Sequence, residues 1–468
     1  MLDDLSLDGM EEWDFDLLDD FSGEDGDDEA EEDDDEDELE DEDEDEEGDT
    51  MVQEVRGPAA PPPSRLGRHV QQAIGQMYSS HYEAARNTLP RGPAFLSHVL
   101  HVYKQDRPDK FREELRVSPS TFDRLVSRLA EDPVFSNNSE NPQMPVETQV
   151  AIALWRFGRY GNSASLQHAA NWAGCGKGTV DLVTRRVMTA VLRSSFLEEY
   201  ICLPTEEEKA KAKEWVESHS CKAWRDGWCM VDGTLVPLDE RPFWYGESYF
   251  DRKCNYSLNV QIVSLPNLRI IDVGYGYTGS THDATAWRQT KMAQNHADIL
   301  EDGEFIFADS AYPLEIFLVE PYKMPEREEP DNEVFNNHIS IVRIRSEHAI
   351  GFLKGRFQSL KGLHVRIKDA RSHKFATYWI LVCIALHSFA MACEEEERAE
   401  RGEDSEEVDN DPFIQEGLSS TSESDNNRPP VSVNRGGTRV QAARVRREEL
   451  KEALFRDKEK RAERRRRR

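Results

Sequence analysis

The stretch GWCMVDGTLVPL, residues 227–238, is the first of four short runs that predict strands. The others are NYSLNVQIVSL (255–265), LRIIDVGYGY (268–277) and EFIFADSAY (304–312). All four are rich in Val, Ile, Tyr and Phe and are bounded by Gly, Pro or Asn, which is typical of strands. A helix-length segment (282–300) separates the third run from the fourth, and helices are predicted from about 340 to 393. This β-β-β-α-β-α order predicts an α/β fold, a sheet covered by helices.

The chain before this segment, about residues 66–220, has apolar residues at helical spacing. Within it, SASLQHAANWAGCGKGTVDLVTRRVMTAVL (163–192) has the pattern of a helix-turn-helix. Ser163 or Ser165 would cap the first helix, Gly174–Gly178 would form the turn, and Thr179 would cap the second helix. The pattern predicts an all-α region preceding the sheet.

The second helix of this pattern carries the cations Lys177, Arg185 and Arg186. Such a helix can enter the major groove of DNA, and its cations can neutralise phosphates. An ordinary helical hairpin with solvent-exposed arginines fits the same residues, so the sequence leaves both interpretations open.

Charge is distributed very unevenly along the chain. Residues 1–50 contain 31 acidic residues and no Lys or Arg, whereas residues 51–468 contain 61 acidic and 58 basic residues. The overall net charge of -34 therefore does not argue against DNA binding. We predict a disordered acidic tail with a Pro-rich joint (1–65), a disordered acidic and Ser-rich linker (394–434) and a disordered basic tail (435–468). Acidic and aromatic residues alternate in the first 21 positions, which suits either a partner-binding segment or a solvated tail.

Seven cysteines without a CxxC pair predict a reducing compartment with neither disulfides nor structural zinc. The N-terminus lacks the pattern of a secretory signal. Residues 375–393 contain no charge, but polar residues interrupt the run, so we expect a buried core helix and no membrane span.

Four carboxylates stand at the ends or flanks of the predicted elements: Asp232, Asp283, Asp309 and Glu347. Each one alone would be interpreted as a cap or turn residue. Together at one edge of a sheet they would repel each other unless a divalent cation neutralised them. Their hard oxygen ligands suit Mg²⁺ or Mn²⁺.

At these residues the sequence resembles the PIF/Harbinger superfamily of DDE transposases and their domesticated nuclease-like relatives. The resemblance rests on five blocks, in this order along the chain: VDGT (231–234), GSTHDA (279–284), ADSAYP (308–313), FNNHISIVRIRSEHAIGFLKGRF (335–357) and IALHSF (384–389). It implies an RNase H-like domain, a mixed sheet flanked by helices, over residues 221–393. Asp232, Asp309 and Glu347 would be the catalytic residues, and these three with Asp283 would be the metal ligands.

The region around Glu347 also resembles a broader insertion-sequence transposase pattern. Arg343 lies four residues before the glutamate and Lys354 seven after it, while Ser340 stands where that pattern has Tyr. Because seven residues are about two helical turns, Lys354 would share a face with Glu347 and contact DNA phosphate. Arg343 and Arg356 are further candidates for DNA contacts.

The resemblance implies a nuclear, metal-dependent DNA endonuclease or transposase that cuts phosphodiester bonds by a two-metal mechanism. It also implies a Myb-like partner protein, and a homo-oligomer is compatible with it. The alternative is a domesticated, non-catalytic DNA-binding or transcriptional adaptor that retains the fold. An RNase H-type ribonuclease is disfavoured by the helical region that precedes the sheet.

Overall fold

The computed structural model describes residues 93–136, 142–402, 409–419 and 438–467, with a few residues between 65 and 72. The predicted acidic tail and Pro-rich joint (1–64) and much of the predicted linker lie outside the described residues. Where the chain is described, it forms a five-stranded sheet with helices before and after it in sequence.

The sheet is mixed, with the strand order β3-β2-β1-β4-β5. Its strands are β1 (Gly227–Pro237), β2 (Ser257–Ser264), β3 (Ile270–Thr278), β4 (Phe305–Phe307) and β5 (Leu318–Val319). The first three form an antiparallel meander, and β4 and β5 add parallel strands beside β1. The α/β prediction is confirmed. Sequence periodicity did not indicate β5, because two residues are too few to show an alternation.

The helices between residues 93 and 219 form the predicted all-α region. They are α1 (the consecutive segments Phe95–His98, Val99–Tyr103 and Lys104–Asp106), α2 (Pro108–Leu115), α3 (Pro119–Leu129), α4 (Val146–Phe157), α5 (Leu166–Ala173), α6 (Lys177–Val191), α7 (Ser194–Tyr200) and α8 (Glu206–His219). This region and the sheet share one hydrophobic core, to which α4, α6, β2 and the later helix α13 (Ala370–Arg401) all contribute. The two predicted regions, 66–220 and 221–393, are therefore packed together.

The segment after β3 differs from the prediction of a single helix over 282–300. It forms three short helices, α9 (Asp283–Trp287), α10 (Lys291–Gln294) and α11 (His296–Ile299). Thr290 separates α9 from α10, because its hydroxyl accepts a hydrogen bond from the backbone N–H of Ala293 and so caps the start of α10.

Two long helices follow the sheet, α12 (Pro330–Arg356) and α13. The uncharged run 375–393 lies in α13, and 89% of the most apolar window of this helix is buried inside the protein. The expectation of a core helix is confirmed. All seven cysteines are free thiols in the structure.

The chain after α13 corrects two predictions of disorder. Residues Pro412–Leu418 form helix α14, which crosses α12 so closely that a Cβ at Gly355 would lie 1.7 Å from the carbonyl oxygen of Phe413. Residues Thr438–Arg467 form helix α15. Composition predicted disorder because charged and polar residues predominate in 394–434 and 435–468. The few apolar residues of α14 and α15 nevertheless pack against the rest of the domain.

Helix α15 docks through an apolar face within its basic sequence. Leu450 and Leu454 are buried against Trp224 and neighbouring core residues, and the Trp224 indole donates a hydrogen bond to the Leu450 carbonyl at 3.0 Å. The Arg447 guanidinium lies over the Tyr322 ring, 3.9 Å from its centroid. The first part of the basic tail is therefore a structural element of the domain.

Candidate active site

The register of the parallel pair β1 and β4 places two of the predicted carboxylates side by side. Met230 lies opposite Phe307, and Asp232 and Asp309 each follow two residues further along their chains. Because side chains alternate with a period of two, the two aspartates share one face of the sheet, on strands about 4.8 Å apart. Asp232 lies within β1, since this strand continues its pairing with β2 to Pro237. The expectation that each carboxylate stands at the end or flank of an element is therefore wrong for Asp232 and for Glu347, which lies inside α12 (Pro330–Arg356), whereas β4 does end two residues before Asp309.

A single guanidinium faces both aspartates. The side chain of Arg343, on α12, lies 3.6 Å from a carboxylate oxygen of Asp232 and 3.6 Å from one of Asp309. It is only 14% exposed, and its buried Nε has no hydrogen-bond partner. Burial lowers the pKa of Arg343, but the charges of Asp232, Asp309 and Glu347 outweigh it and the pKa is raised. Arg343 thus supplies the positive charge between the two carboxylates.

The surroundings of Asp232 raise the pKa of its carboxyl. Burial raises its pKa to about 6, and the negative charges of Asp309, Glu347 and Asp283 add to the rise against the opposing charge of Arg343. One carboxylate oxygen accepts the backbone N–H of Gly233 at 2.9 Å. The Ser346 hydroxyl lies 3.4 Å from the other oxygen but donates to the Arg343 carbonyl at 2.7 Å. A bound cation would relieve the repulsion between Asp232 and the neighbouring carboxylates.

Glu347 lies at the rim of this cluster. It follows Arg343 by four residues, or about one turn of α12, and its side chain is exposed. Its charge contributes to the pKa of both Arg343 and Asp232. In the predicted triad, Asp232 and Asp309 therefore face the same arginine. The third carboxylate, Glu347, lies one turn further along the helix that carries this arginine.

Asp283 is buried on the opposite face of β1 from Asp232, because it lies against Gly233 and Gln261, and it is held by hydrogen bonds. It is 8% exposed, and its Oδ1 accepts the side-chain amides of Asn259 and Gln261, each at 3.1 Å. The Arg252 guanidinium donates to Oδ2 at 3.3 Å. A Cβ at Gly233 would lie 2.6 Å from Asp283 Oδ1, so the glycine of VDGT makes room for this carboxylate.

Sequence analysis missed Asn259 and Gln261, although β2 contains a signal for them. They are polar residues two positions apart in an otherwise apolar run, so they share one face of the strand. Gln261 lies opposite Gly233 in the pairing with β1, and its side-chain oxygen accepts the Tyr312 hydroxyl. Polar residues that recur with strand period on a buried strand indicate a hydrogen-bonded network.

The carboxylates fit a divalent cation by their chemistry. The donors are oxygens without thiols or imidazoles, as Mg²⁺ and Mn²⁺ prefer, and burial together with the neighbouring carboxylates raises the pKa of Asp232. In the part of the chain that the structure describes, no three His, Cys, Asp or Glu side chains are close enough together to hold a metal ion. Asp232 and Asp309 are thus neighbours with Arg343 between them.

Two predicted DNA contacts are corrected to interior contacts. Lys354 is 6% exposed and donates a hydrogen bond to the Leu235 carbonyl at 2.6 Å, and burial lowers its pKa to about 7. Arg356 is fully buried and pairs with both carboxylate oxygens of Glu394 at 2.8 and 2.7 Å. Lys354 does share a helix with Glu347, but seven residues separate them by about 10 Å along the axis. Neither cation is available to a phosphate in this structure.

The predicted helix-turn-helix corresponds to α5 and α6. The hydroxyl of Ser165, and not Ser163, caps α5, and Gly174 ends it with a φ of 73°. Helix α6 begins at Lys177 with Gly176 as its N-cap, so the prediction that Thr179 caps it is wrong.

The cations of α6 have different environments. Lys177 and Arg186 are half-buried. Arg185 pairs with Asp181 at 2.5 Å and lies over the Phe375 ring of α13. Much of α6 is buried in the shared core, which leaves the first turn as its more accessible part.

The segment that carries the four carboxylates is similar in sequence to a known protein family. Residues 231–388, which contain all four carboxylates, match the family described as DDE superfamily endonuclease, so this segment is a DDE endonuclease domain. The chain is also 24% identical over 310 residues to "Protein ALP1-like" of Arabidopsis thaliana, covering 62% of this chain and 72% of the relative. No solved structure gives a significant match. The resemblance to DDE endonucleases that the sequence blocks indicated is confirmed.

Proposed function

We propose that this protein is a divalent-metal-dependent DNA endonuclease of the Harbinger transposase type, with an RNase H-like catalytic domain. One observation carries the proposal: Asp232 and Asp309 share a face of the sheet and both face Arg343, one helical turn before Glu347. The family match of the same segment supports it.

The residues of this chain have distinct parts in the proposed chemistry. Asp232, Asp309 and Glu347 would hold the divalent cations, whereas Asp283 lies on the opposite face of β1. Bound there, the cations would activate a water or 3′ hydroxyl and stabilise the leaving oxygen in phosphodiester attack. Arg343 balances the carboxylates in the metal-free protein and is placed to contact a phosphate once cations share that negative charge. Asn259 and Gln261 hold Asp283 in one orientation.

The second candidate is a non-catalytic DNA-binding or transcriptional adaptor. It is favoured by the position of Arg343 between the two aspartates and by the absence, among the described residues, of a three-ligand metal group. In a protein of this kind the Arg343 ion pairs would be a permanent structural feature. We further propose that DNA is the macromolecular partner and the nucleus the location; a Myb-like partner and self-association stay predictions from the family resemblance.

A cleavage assay separates the two candidates. Supercoiled plasmid and linear duplexes are incubated with the full chain and Mg²⁺ or Mn²⁺, alongside Asp232→Asn, Asp309→Asn and Glu347→Gln. Because the metal site contributes several kcal/mol to catalysis, each variant is expected to lose at least about 100-fold in rate. Asp302→Asn is the matched control, since this aspartate is exposed in a turn of the same domain. DNA binding without cleavage by the wild-type chain would support the adaptor.

A further inference from the structure

The connection between β1 and β2 displays aromatic rings to solvent. In this β1–β2 loop, residues 238–256, Phe243 is 76% exposed, Tyr245 70% and Phe250 43%. Single exposed apolar side chains are common on protein surfaces, but three aromatic rings within eight residues form a local cluster. Fixed, exposed aromatic rings are the feature that proteins use to stack on nucleic-acid bases.

The loop is held in place by the body of the domain. The backbone N–H groups of Phe243 and Trp244 both donate to the Ile367 carbonyl, at 2.9 and 3.3 Å. Tyr249 is buried, and its hydroxyl lies 2.8 Å from Nδ1 of the buried His373. The exposed rings therefore project from an anchored segment, which lowers the conformational entropy lost when a ligand stacks on them.

The backbone at Tyr245 adopts an uncommon conformation. Its φ is 48°, in the left-handed region that side-chain-bearing residues other than Asn and Asp rarely adopt. Such conformations cost free energy and cluster at ligand-binding positions. Here the conformation fixes a ring that is 70% exposed, so burial of the ring offsets little of the free energy that this conformation costs.

The loop contacts the segment that carries Asp283. The backbone N–H of Ser280 donates to the Ser248 carbonyl at 3.1 Å, and Arg252 donates to Asp283 at 3.3 Å. Asp283 in turn lies against Gly233, the neighbour of Asp232 in β1. The loop is therefore fixed to the catalytic sheet itself.

A basic border accompanies the aromatic rings. Arg252 and Lys253 are exposed in the loop itself. The segment 364–374, which anchors the loop, contains four Lys or Arg residues and one acidic residue, and that residue, Asp369, caps α13. The loop has four acidic residues: Glu240 and Glu247 are paired with Arg366 and Arg241, Asp239 lies 3.0 Å from the His364 ring, and Asp251 is buried. Aromatic rings with cations around them fit a polyanion with π faces better than they fit an apolar protein groove.

We propose that Phe243 and Tyr245 form a stacking platform for unpaired bases of the bound DNA strand. The inference rests on the proposed nuclease function and adds to it a substrate preference for DNA with single-stranded character. Arg252 and Lys253 would contact the phosphates of the same nucleotides. The platform is a binding surface and takes no part in the chemical step.

The test measures binding of two DNA molecules in a background that cannot cleave. Full-length Asp232→Asn protein is titrated with a labelled blunt duplex and with the same duplex carrying a six-nucleotide single-stranded end, at fixed salt and Mg²⁺, by fluorescence anisotropy. The test variant adds Phe243→Ala and Tyr245→Ala. Phe243→Trp with Tyr245→Phe preserves both rings, and Leu203→Ala, at a residue 46% exposed elsewhere, is the matched control.

The double alanine variant is expected to bind the tailed duplex roughly 5- to 100-fold more weakly, with blunt-duplex affinity within about twofold of the parent. The aromatic and Leu203→Ala variants should bind like the parent. Because both rings are exposed, melting temperatures should agree among all variants. An equal loss for both DNA molecules, or no loss for either, overturns the platform; the second result would indicate a protein partner for the surface.

The outcome for the proposed function is separate. If the parent binds neither DNA, both the nuclease and the platform fail. If the wild-type chain cleaves DNA but the double alanine variant keeps its preference for the tailed duplex, only the platform fails.

Discussion

Replacing Asp232 by Asn is expected to increase the free energy of unfolding of the metal-free protein at pH 7. Burial and the neighbouring carboxylates raise the pKa of Asp232 from 3.8 to about 6, although Arg343 opposes them. A rise of about two pKa units, at about 1.4 kcal/mol each, means that the ionised carboxylate disfavours the folded state by about 3 kcal/mol. Since the amide of Asn is also polar and loses water, we expect a gain of about 1–3 kcal/mol.

The gain depends on pH in a defined direction. Because the pKa of Asp232 is higher in the folded state, the folded protein binds more protons than the unfolded chain between about pH 4 and pH 6. The contribution of this group to stability therefore decreases as the pH rises through that window, and the full penalty applies above it. The advantage of Asp232→Asn should be complete at pH 7 and nearly absent at pH 4.

The measurement is the melting temperature of wild type and variant in EDTA, from pH 4 to 7.5. With an unfolding entropy of roughly 2.1 cal/mol/K per residue over about 350 folded residues, the gain corresponds to about 1–4 °C. The exposed Asp302→Asn control should show no pH-dependent difference. A variant that melts below wild type at pH 7 would refute the reasoning, because the ionised carboxylate would then be stabilised by Arg343 more than burial penalises it.

Four further outcomes are expected. Mg²⁺ or Mn²⁺ should raise the melting temperature of wild type by linkage, by about 2.7 kcal/mol at 100 times Kd, and should raise that of Asp232→Asn less; equal shifts would place the cation elsewhere. Gly355→Ala should cost about 1–3 kcal/mol in chemical denaturation because its Cβ would meet the α14 backbone, whereas Gly362→Ala, with nothing within 4 Å, should change stability by less than about 1 kcal/mol. Deleting residues 461–468, which spares the docked part of α15, removes six basic residues and one acidic residue, so the non-specific DNA affinity and its salt slope should both decrease. Deleting residues 1–50 should increase the affinity, because a tethered polyanion competes with DNA; equal affinity at low salt with and without these residues would leave partner binding as the role of the tail.

The sequence determined the sheet and the order of the carboxylates along it. Strands rich in β-branched and aromatic residues between Gly and Pro specify themselves locally, so the four longer strands could be recognised in order. The aspartates of VDGT and ADSAYP follow apolar runs, and their adjacency required only that β1 and β4 be neighbours. The apolar run in α13 likewise indicated a core helix, because polar residues interrupt it, and the structure buries 89% of its most apolar window.

Only the tertiary structure decided which cations belong to the site. Arg343 and Lys354 lie on the same helix, yet one faces two carboxylates and the other donates to a strand carbonyl in the interior. Helical periodicity gives the angular position of a side chain but not what packs against it at each level of the helix. The fully buried Arg356 shows the same limit, because its partner Glu394 is 38 residues away on another helix.

Only the tertiary structure shows that parts of the charged segments after α13 form helices. Their composition predicts disorder, since local sequence alone cannot bury enough apolar area to offset the entropy of ordering. The surfaces that order α14 and α15 are provided by α12, with its close glycine contacts, and by Trp224 and its neighbours. These surfaces exist only once the sheet has folded, so a docking segment can be recognised only in the presence of its partner.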